Sequence, residues 1–125
     1  MQTLKGKHKG SPIVVIGGGS FDPATNFDGC VIVGCNHHYI DANYLVYLDN
    51  PFYNKKLKKF LDDFKGVSIG RYGYRRHPDY FVTNKFLGKI HAKDTGDLGI
   101  WFAGHIGDDI QLVGFDRKVG SWQAA

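Results

Sequence analysis

The chain has 125 residues, 42% hydrophobic and 14% aromatic, which is enough to bury the core of one domain. Its 16 Lys and Arg against 12 Asp and Glu give a net charge of +4, which favours anionic partners but is too small to indicate nucleic-acid binding. No apolar run approaches the roughly 20 residues of a membrane span, and the basic first residues lack the apolar stretch of a signal peptide. We therefore predict a soluble, cytoplasmic protein with no membrane association.

The N-terminal segment 1–11 is polar and basic and has no apolar period. We predict it to be a flexible arm ahead of a single domain at 12–125. The chain has only two cysteines, Cys30 and Cys35, and both lie in one apolar run. At that spacing along a strand they are too far apart for a disulfide and face opposite sides, so we expect two reduced thiols.

The first predicted strand, Pro12–Ile16, is a β-branched run typical of a strand buried on both faces. It ends in a turn of four small residues, Gly17, Gly18, Gly19 and Ser20. Free N–H groups in such a turn form an anion cradle, and the alternative is a plain surface turn. Asp22 stands where the third glycine of the dinucleotide fingerprint belongs, so a conventional NAD enzyme is disfavoured.

Polar residues follow the next two predicted strands, Cys30–Gly34 and Tyr44–Leu48. They are Asn36, His37 and His38 after the second strand, and Asp49 and Asn50 after the third. Asparagine amides can hydrogen-bond a base or a ribose, and the alternative is that each amide closes an Asx turn. The adjacent histidines point to opposite faces of an extended chain and no residue set has zinc spacing, so we predict no metal site. One histidine could still act as an acid or base.

A helix with one apolar face is predicted from Tyr53 to Phe64, and its lysines Lys55 to Lys59 are interpreted as a solvated face. A fourth strand follows at Val67–Gly70. The next segment interleaves cations and aromatic residues from Arg71 onward. Arg71 could therefore bind a phosphate, or the segment could be a solvated loop with cation–π contacts.

The last predicted elements are an edge strand near Tyr80, a helix from Thr95 to His105 and a strand at Ile110–Gly114. Thr95 and Gly96 are typical of a helix start that leaves amides free for an anion, and capping alone is the alternative. We interpret Trp101 and Phe102 as core and His105 as packed rather than catalytic, on the face that they share with Leu98.

Strands that alternate with helices predict a three-layer, Rossmann-like α/β domain with a mainly parallel sheet. Ligands of such domains bind outside the carboxyl ends of the strands. This topology places four features at that edge: the glycine turn, Asn36, Asn50 and Thr95. We therefore predict that they meet in one crevice.

Five short motifs occur in a defined order along the chain. They are the Gly-rich turn after Val14–Ile16, Cys35-Asn36 with Tyr39, Asn50-Pro51, Thr95-Gly96, and Leu112–Asp116. From about Pro12 to Asp116 this order resembles the nucleotide-sugar-binding half of the bacterial sialyltransferases of glycosyltransferase family 42 and related small Rossmann-like domains. The resemblance implies that Asn36 and Asn50 contact ribose and base, and that Gly18–Ser20 and Thr95-Gly96 face the phosphates or the base.

We therefore predict a protein that binds a small nucleotide or nucleotide-sugar and needs no cofactor. The family continues into a lid and acceptor region beyond the last motif, whereas this sequence ends at Ala125, so we expect binding rather than complete transfer. One alternative is a minimal glycosyltransferase with His37 or His38 as base and Asp116 as a weaker candidate. Another is a structural or partner-binding protein that kept only the fold. The sequence leaves a homo-oligomer open.

Overall fold

A single parallel sheet organises the computed structural model, which describes residues 1–22 and 24–115. Within these ranges the strands are β1 Pro12–Ile16, β2 Val31–Cys35, β3 Tyr44–Tyr47, β4 Val67–Gly70, β5 Tyr80–Phe81 and β6 Asp109–Val113. Their spatial order is β5-β4-β3-β2-β1-β6, and every neighbouring pair is parallel. The predicted α/β class and parallel sheet are confirmed.

Helices cover both faces of the sheet, which makes three layers. They are α1 Lys55–Asp63, α2 Asn84–Lys89 and α3 Thr95–Ile106. The segments that link consecutive strands from β1 to β5 pack on the same face of the sheet as α1. After β5 the chain returns to β6 through α2 and α3 on the other face. Among the helices in these ranges, none is both long and apolar enough to cross a lipid bilayer.

The alternation of side chains along β1 divides the core into two halves. Val14 and Ile16 pack towards Leu57 and Leu61 of α1. Ile13 and Val15 pack on the opposite face against α3 residues, including Leu98 and Phe102. Because both faces are covered, the strand needs apolar residues at successive positions, and this is why β1 reads as an unbroken Val/Ile run.

The N-terminal segment differs from the predicted flexible arm. Residues Gln2–Leu4 form a 3₁₀ turn, and the Leu4 side chain is buried. The Gly6 N–H donates to the His105 carbonyl at 2.8 Å, and the His8 ring lies 2.7 Å from the Tyr44 hydroxyl. The segment therefore packs on the end of α3, where Leu4, Met1 and these hydrogen bonds hold it although the sequence shows no apolar period.

Candidate functional site

The predicted site residues lie along the carboxyl edge of the sheet. The glycine turn follows β1, Asn36 follows β2, and Asp49 and Asn50 follow the end of β3. Arg71 comes directly after β4, and Thr95 begins α3. Because the strands are parallel, all their carboxyl ends point to this edge.

A depression that we call the trough opens between β3, β4 and the start of α1. It has a volume of about 510 Å³. Among its lining residues are the predicted Asp49, Asn50 and Arg71 together with Tyr53, Lys55, Lys56 and Tyr72. The structure therefore brings two cations of α1 and two aromatic side chains beside residues that the sequence had singled out.

A second depression, the side pocket, adjoins the trough across Asp49 and Arg71. It has a volume of about 430 Å³ and is also lined by Asn84, Lys93, Asp94 and Thr95. Asn50 therefore shares the trough with Arg71, and Thr95 shares the side pocket with it. The glycine turn and Asn36 line neither of these two depressions.

Arg71 lines both depressions, and two hydrogen bonds to other elements hold its side chain. Its Nη2 donates to the Leu48 carbonyl at 3.1 Å and its Nη1 to the Asn84 side chain at 3.0 Å. Its Nε is buried without a hydrogen-bond partner, and no carboxylate of the described ranges pairs with its guanidinium. A fixed, unneutralised guanidinium is well suited to a phosphate or carboxylate ligand.

The other two arginines of this segment serve the fold. Arg75 forms an ion pair with Asp62 of α1 at 2.7 Å. Arg76 donates to the Phe64 carbonyl at the end of α1. Of these three arginines only Arg71 lines the two depressions. Arg71 is therefore placed for ligand binding, whereas Arg75 and Arg76 are not.

Asn36 occupies a backbone conformation that few residues adopt. Its φ is +58°, and it begins a 3₁₀ turn over Asn36–His38 directly after β2. Asparagine tolerates this left-handed region better than most residues, and such conformations cluster at ligand sites. The Asn36 Oδ1 and the His37 Nδ1 are both buried and lack hydrogen-bond partners within the described residues. The turn therefore offers two polar atoms with unused hydrogen-bonding capacity.

His38 is exposed at the same edge and lies against the glycine turn. Its Nε2 is 2.8 Å from the position that a Gly18 Cβ would take. Loss of water around the ring lowers the pKa of His38, and the nearby His37 and Lys56 add to this effect. The ring is therefore neutral at pH 7 and has a nitrogen able to accept a proton or a hydrogen bond.

The predicted phosphate cradle of the glycine turn is reduced. The Gly17 N–H donates to the Val113 carbonyl at 2.9 Å, and the Gly19 N–H donates to the Gly114 carbonyl at 2.6 Å. Pairing of β6 with β1 continues past the strand ends and consumes these two donors. These two amides are therefore not free to bind an anion, which favours the alternative of a plain turn at Gly17 and Gly19, and Ser20 lies beyond them at the surface.

The start of α3 also differs from the predicted anion site. Asp94, rather than Thr95, caps the helix, and its carboxylate accepts the Asp97 N–H at 2.8 Å. A carboxylate at this helix terminus disfavours a second anion there. The Phe115 ring lies beside both Gly17 and Gly96, within 3.0 and 3.2 Å of the Cβ positions that those glycines would have. This ring fills the space that one crevice joining the two motifs would need.

Two further predictions concern Asp116 as a candidate base and the absence of a metal site. Asp116 lies outside the described residues. Within the described ranges no group of three or more His, Cys, Asp or Glu side chains could hold a metal ion.

Sequence reasoning missed the contribution of the start of α1 to the trough. Tyr53 was placed on the apolar helix face, but it precedes α1 and its side chain is 82% exposed. Lys55 and Lys56 were grouped with Lys58 and Lys59 as a solvated face, yet only the first pair lines the trough. The Asn50-Pro51 dipeptide, which lies between the end of β3 and the start of α1 at this edge, is the signal that could have separated the two pairs.

The fold and this edge define an α/β protein with a Rossmann-like parallel sheet. Comparison with models of known protein families, with curated proteins and with solved structures found no match for the chain. The likeness to glycosyltransferase family 42 therefore stays a prediction from motif order.

Proposed function

We propose that this protein binds a small nucleotide or nucleotide-sugar at the carboxyl edge of its sheet. The observation that carries the proposal is the Arg71 guanidinium between the trough and the side pocket. It is held by the Leu48 carbonyl and Asn84, and has no carboxylate partner in the described ranges. An anionic group on the ligand would neutralise it.

Asn36 gives independent support for a ligand at this edge. A buried amide oxygen without a partner costs about 1–3 kcal/mol, so a hydroxyl or amino group that donates to it gains correspondingly. Asn36 and Asn50 follow neighbouring strands, as the resemblance to nucleotide-sugar-binding domains requires. The Asn50 Oδ1 accepts the Phe52 N–H at 3.0 Å and so closes an Asx turn, which leaves the Asn50 amide N–H groups as donors for a ribose or base.

The dimensions of the two depressions also suit such a ligand. Small-molecule sites enclose roughly 300–1,000 Å³. The trough and the side pocket, at about 510 and 430 Å³, each fall in this range. A nucleotide fills the first, and a nucleotide-sugar extends into the second past Arg71.

The proposal is tested by thermal shift against CMP, UDP-sugars, ADP-ribose and cyclic nucleotides. We expect at least one of them to raise the melting temperature of the wild type. Arg71→Gln removes the charge and should abolish that rise. Arg75→Gln makes the same charge change in the same segment at an exposed ion pair, so the rise should persist.

Asn36→Gly is a second variant that tests the amide with little effect on the backbone. Glycine adopts positive φ without strain, so the 3₁₀ turn is retained while the Oδ1 is lost. Because Asn36 lines neither depression, a ligand that extends from the trough to the turn after β2 should lose about tenfold in affinity, the equivalent of one hydrogen bond to a buried group, whereas an unchanged affinity would confine the ligand to the two depressions. If no compound of the panel shifts the wild type, or if Arg71→Gln responds like Arg75→Gln, the proposal fails.

A second candidate function, glycosyl transfer, is favoured by the neutral His38 ring at the same edge. A general base must accept a proton at the working pH, and the lowered pKa of His38 meets this requirement. In transfer, His38 takes the proton of an acceptor hydroxyl, the acceptor oxygen bonds to the sugar, and the sugar–phosphate bond breaks to release the nucleotide. Chromatographic detection of both the released nucleotide and the glycosylated acceptor therefore distinguishes transfer from binding. Release that His38→Gln abolishes would support transfer, and a stable bound ligand without release would leave binding alone.

A further inference from the structure

We infer that the trough selects a diphosphate, so that the ligand is a nucleoside diphosphate or an ester of one. The inference rests on the proposed function and names the ligand class of that same site. It follows from the charges and aromatic rings that line the trough, rather than from Asn36 or the glycine turn.

Cations from two elements, the start of α1 and the end of β4, line the trough. Lys55, Lys56 and Arg71 line it, and the one carboxylate among its described lining residues is Asp49. The Asp49 Oδ2 accepts a hydrogen bond from the Asn54 side chain at 2.9 Å. Neither lysine has a carboxylate partner within the described ranges, so both cations remain unpaired at the trough.

The three cations come from two elements that meet at the trough. The two lysines are adjacent in the first turn of α1, and Arg71 leaves the end of β4 on the other side. The two anionic groups of a pyrophosphate are joined by one bridging oxygen, so one group can contact the Arg71 guanidinium while the other contacts a lysine. A monophosphate has a single anionic group and would leave the cations of one of these two elements without a contact.

Aromatic side chains mark where the uncharged end of the ligand would lie. Tyr53 is 82% exposed and forms an edge-to-face pair with Phe52 at 5.0 Å between ring centroids. Tyr72 lies under the Arg71 guanidinium, 5.2 Å from its ring centre. Exposed rings beside cations are the usual platform for a nucleobase, because every base has a face that can stack.

Isothermal titration of the wild type with ADP, AMP, UDP, UMP, adenosine and inorganic pyrophosphate tests the inference. Each diphosphate should bind at least about tenfold more tightly than its monophosphate, the difference that one charge-assisted hydrogen bond makes. Pyrophosphate alone should bind measurably, and adenosine should bind most weakly.

A matched pair of double variants assigns the preference to the two lysines. Lys55→Gln with Lys56→Gln should reduce the diphosphate preference to about threefold or less, because one charge-assisted contact is lost. Lys58→Gln with Lys59→Gln changes the net charge equally on the same helix outside the trough, and it should leave the preference unchanged.

A second pair of variants tests the aromatic end. Tyr53→Ser should weaken ADP binding while sparing pyrophosphate, since only the nucleotide has a base to stack. Phe81→Ser removes an exposed ring on β5, outside the trough lining, and should change neither.

The outcomes separate this inference from the proposed function. Equal affinities for diphosphates and monophosphates, or a preference that survives loss of Lys55 and Lys56, would overturn the inference while nucleotide binding stands. Binding of none of these compounds would overturn both.

Discussion

Burial controls the chemistry of Cys35. Its side chain lies beneath α3, and the raised pKa of its thiol, about 12, follows from that burial, with the charge of Asp94 as a smaller cause. The thiolate is the reactive form, so a thiol with this pKa stays unreactive near neutral pH. Cys30 is only half-buried, at the start of the same apolar run.

We therefore predict that a thiol reagent at pH 8 labels Cys30 and spares Cys35. Mass spectrometry of the native protein should show one modification per chain, and unfolding in guanidinium should raise this to two. Cys30→Ser should remove the native modification. Equal labelling rates at both cysteines would contradict the burial of Cys35.

At the scale of elements, a single glycine sets how closely α3 approaches the sheet. A Cβ on Gly99 would lie 2.7 Å from the Cys35 sulfur and 3.3 Å from a methyl group of Val15. The helix can therefore lie directly on β1 and β2 only because this position has no side chain. Gly104, five residues later on the same helix, is exposed, and its nearest neighbour would be 4.0 Å away.

These two glycines give opposite predictions for the same substitution. Gly99→Ala should lower the free energy of unfolding by about 1–3 kcal/mol, the usual cost of overpacking a core. Gly104→Ala should raise it by up to about 1 kcal/mol, because alanine has the higher helix propensity. Urea denaturation measures both, and similar stabilities for the two variants would refute the close packing of α3.

For the whole molecule, His77 connects the segment after β4 to the core. Its Nε2–H donates to the Leu61 carbonyl of α1 at 3.1 Å, and its Nδ1 lies 2.7 Å from the Ser68 hydroxyl of β4. Burial lowers the pKa of His77, and the Arg76 charge adds to this, against smaller opposing effects of Asp79 and the Leu61 carbonyl. The folded protein therefore keeps this ring neutral.

This lowered pKa makes stability depend on pH. In the unfolded chain the ring takes up its proton near its ordinary pKa of about 6.5, before the folded state does. Stability is therefore full above that value and falls as the pH drops below it. His8 and His38, whose pKa values are also lowered, act in the same direction.

We expect the free energy of unfolding to be lower at pH 5.5 than at pH 7.5. The part due to His77 has a slope of at most about 1.4 kcal/mol per pH unit. His77→Asn should flatten the profile between these values. His91→Asn is a matched control, because His91 is exposed at a positive φ that asparagine tolerates. An unchanged profile in His77→Asn would exclude this role.

The sequence predicted most of the sheet, because a strand that is buried on both faces appears as a continuous apolar run of neighbouring residues. The β1 bounds Pro12–Ile16 and the β4 bounds Val67–Gly70 agree with the structure, and α3 ends one residue beyond its predicted end. Helix α2 was missed, since its six residues bury only Leu87 and show too little of a helical period.

The amino-acid sequence by itself determined the α/β class, the parallel strands and the polar residues at their carboxyl ends, because side-chain periodicity and strand-end position depend on neighbours along the chain. Only the tertiary structure decided which of those residues meet. Pairing of β6 with β1 engages the Gly17 and Gly19 amides, and the approach of α1 to β4 brings Lys55 and Lys56 to Arg71. Contacts between segments far apart in sequence depend on strand order and helix packing, and no local pattern encodes them.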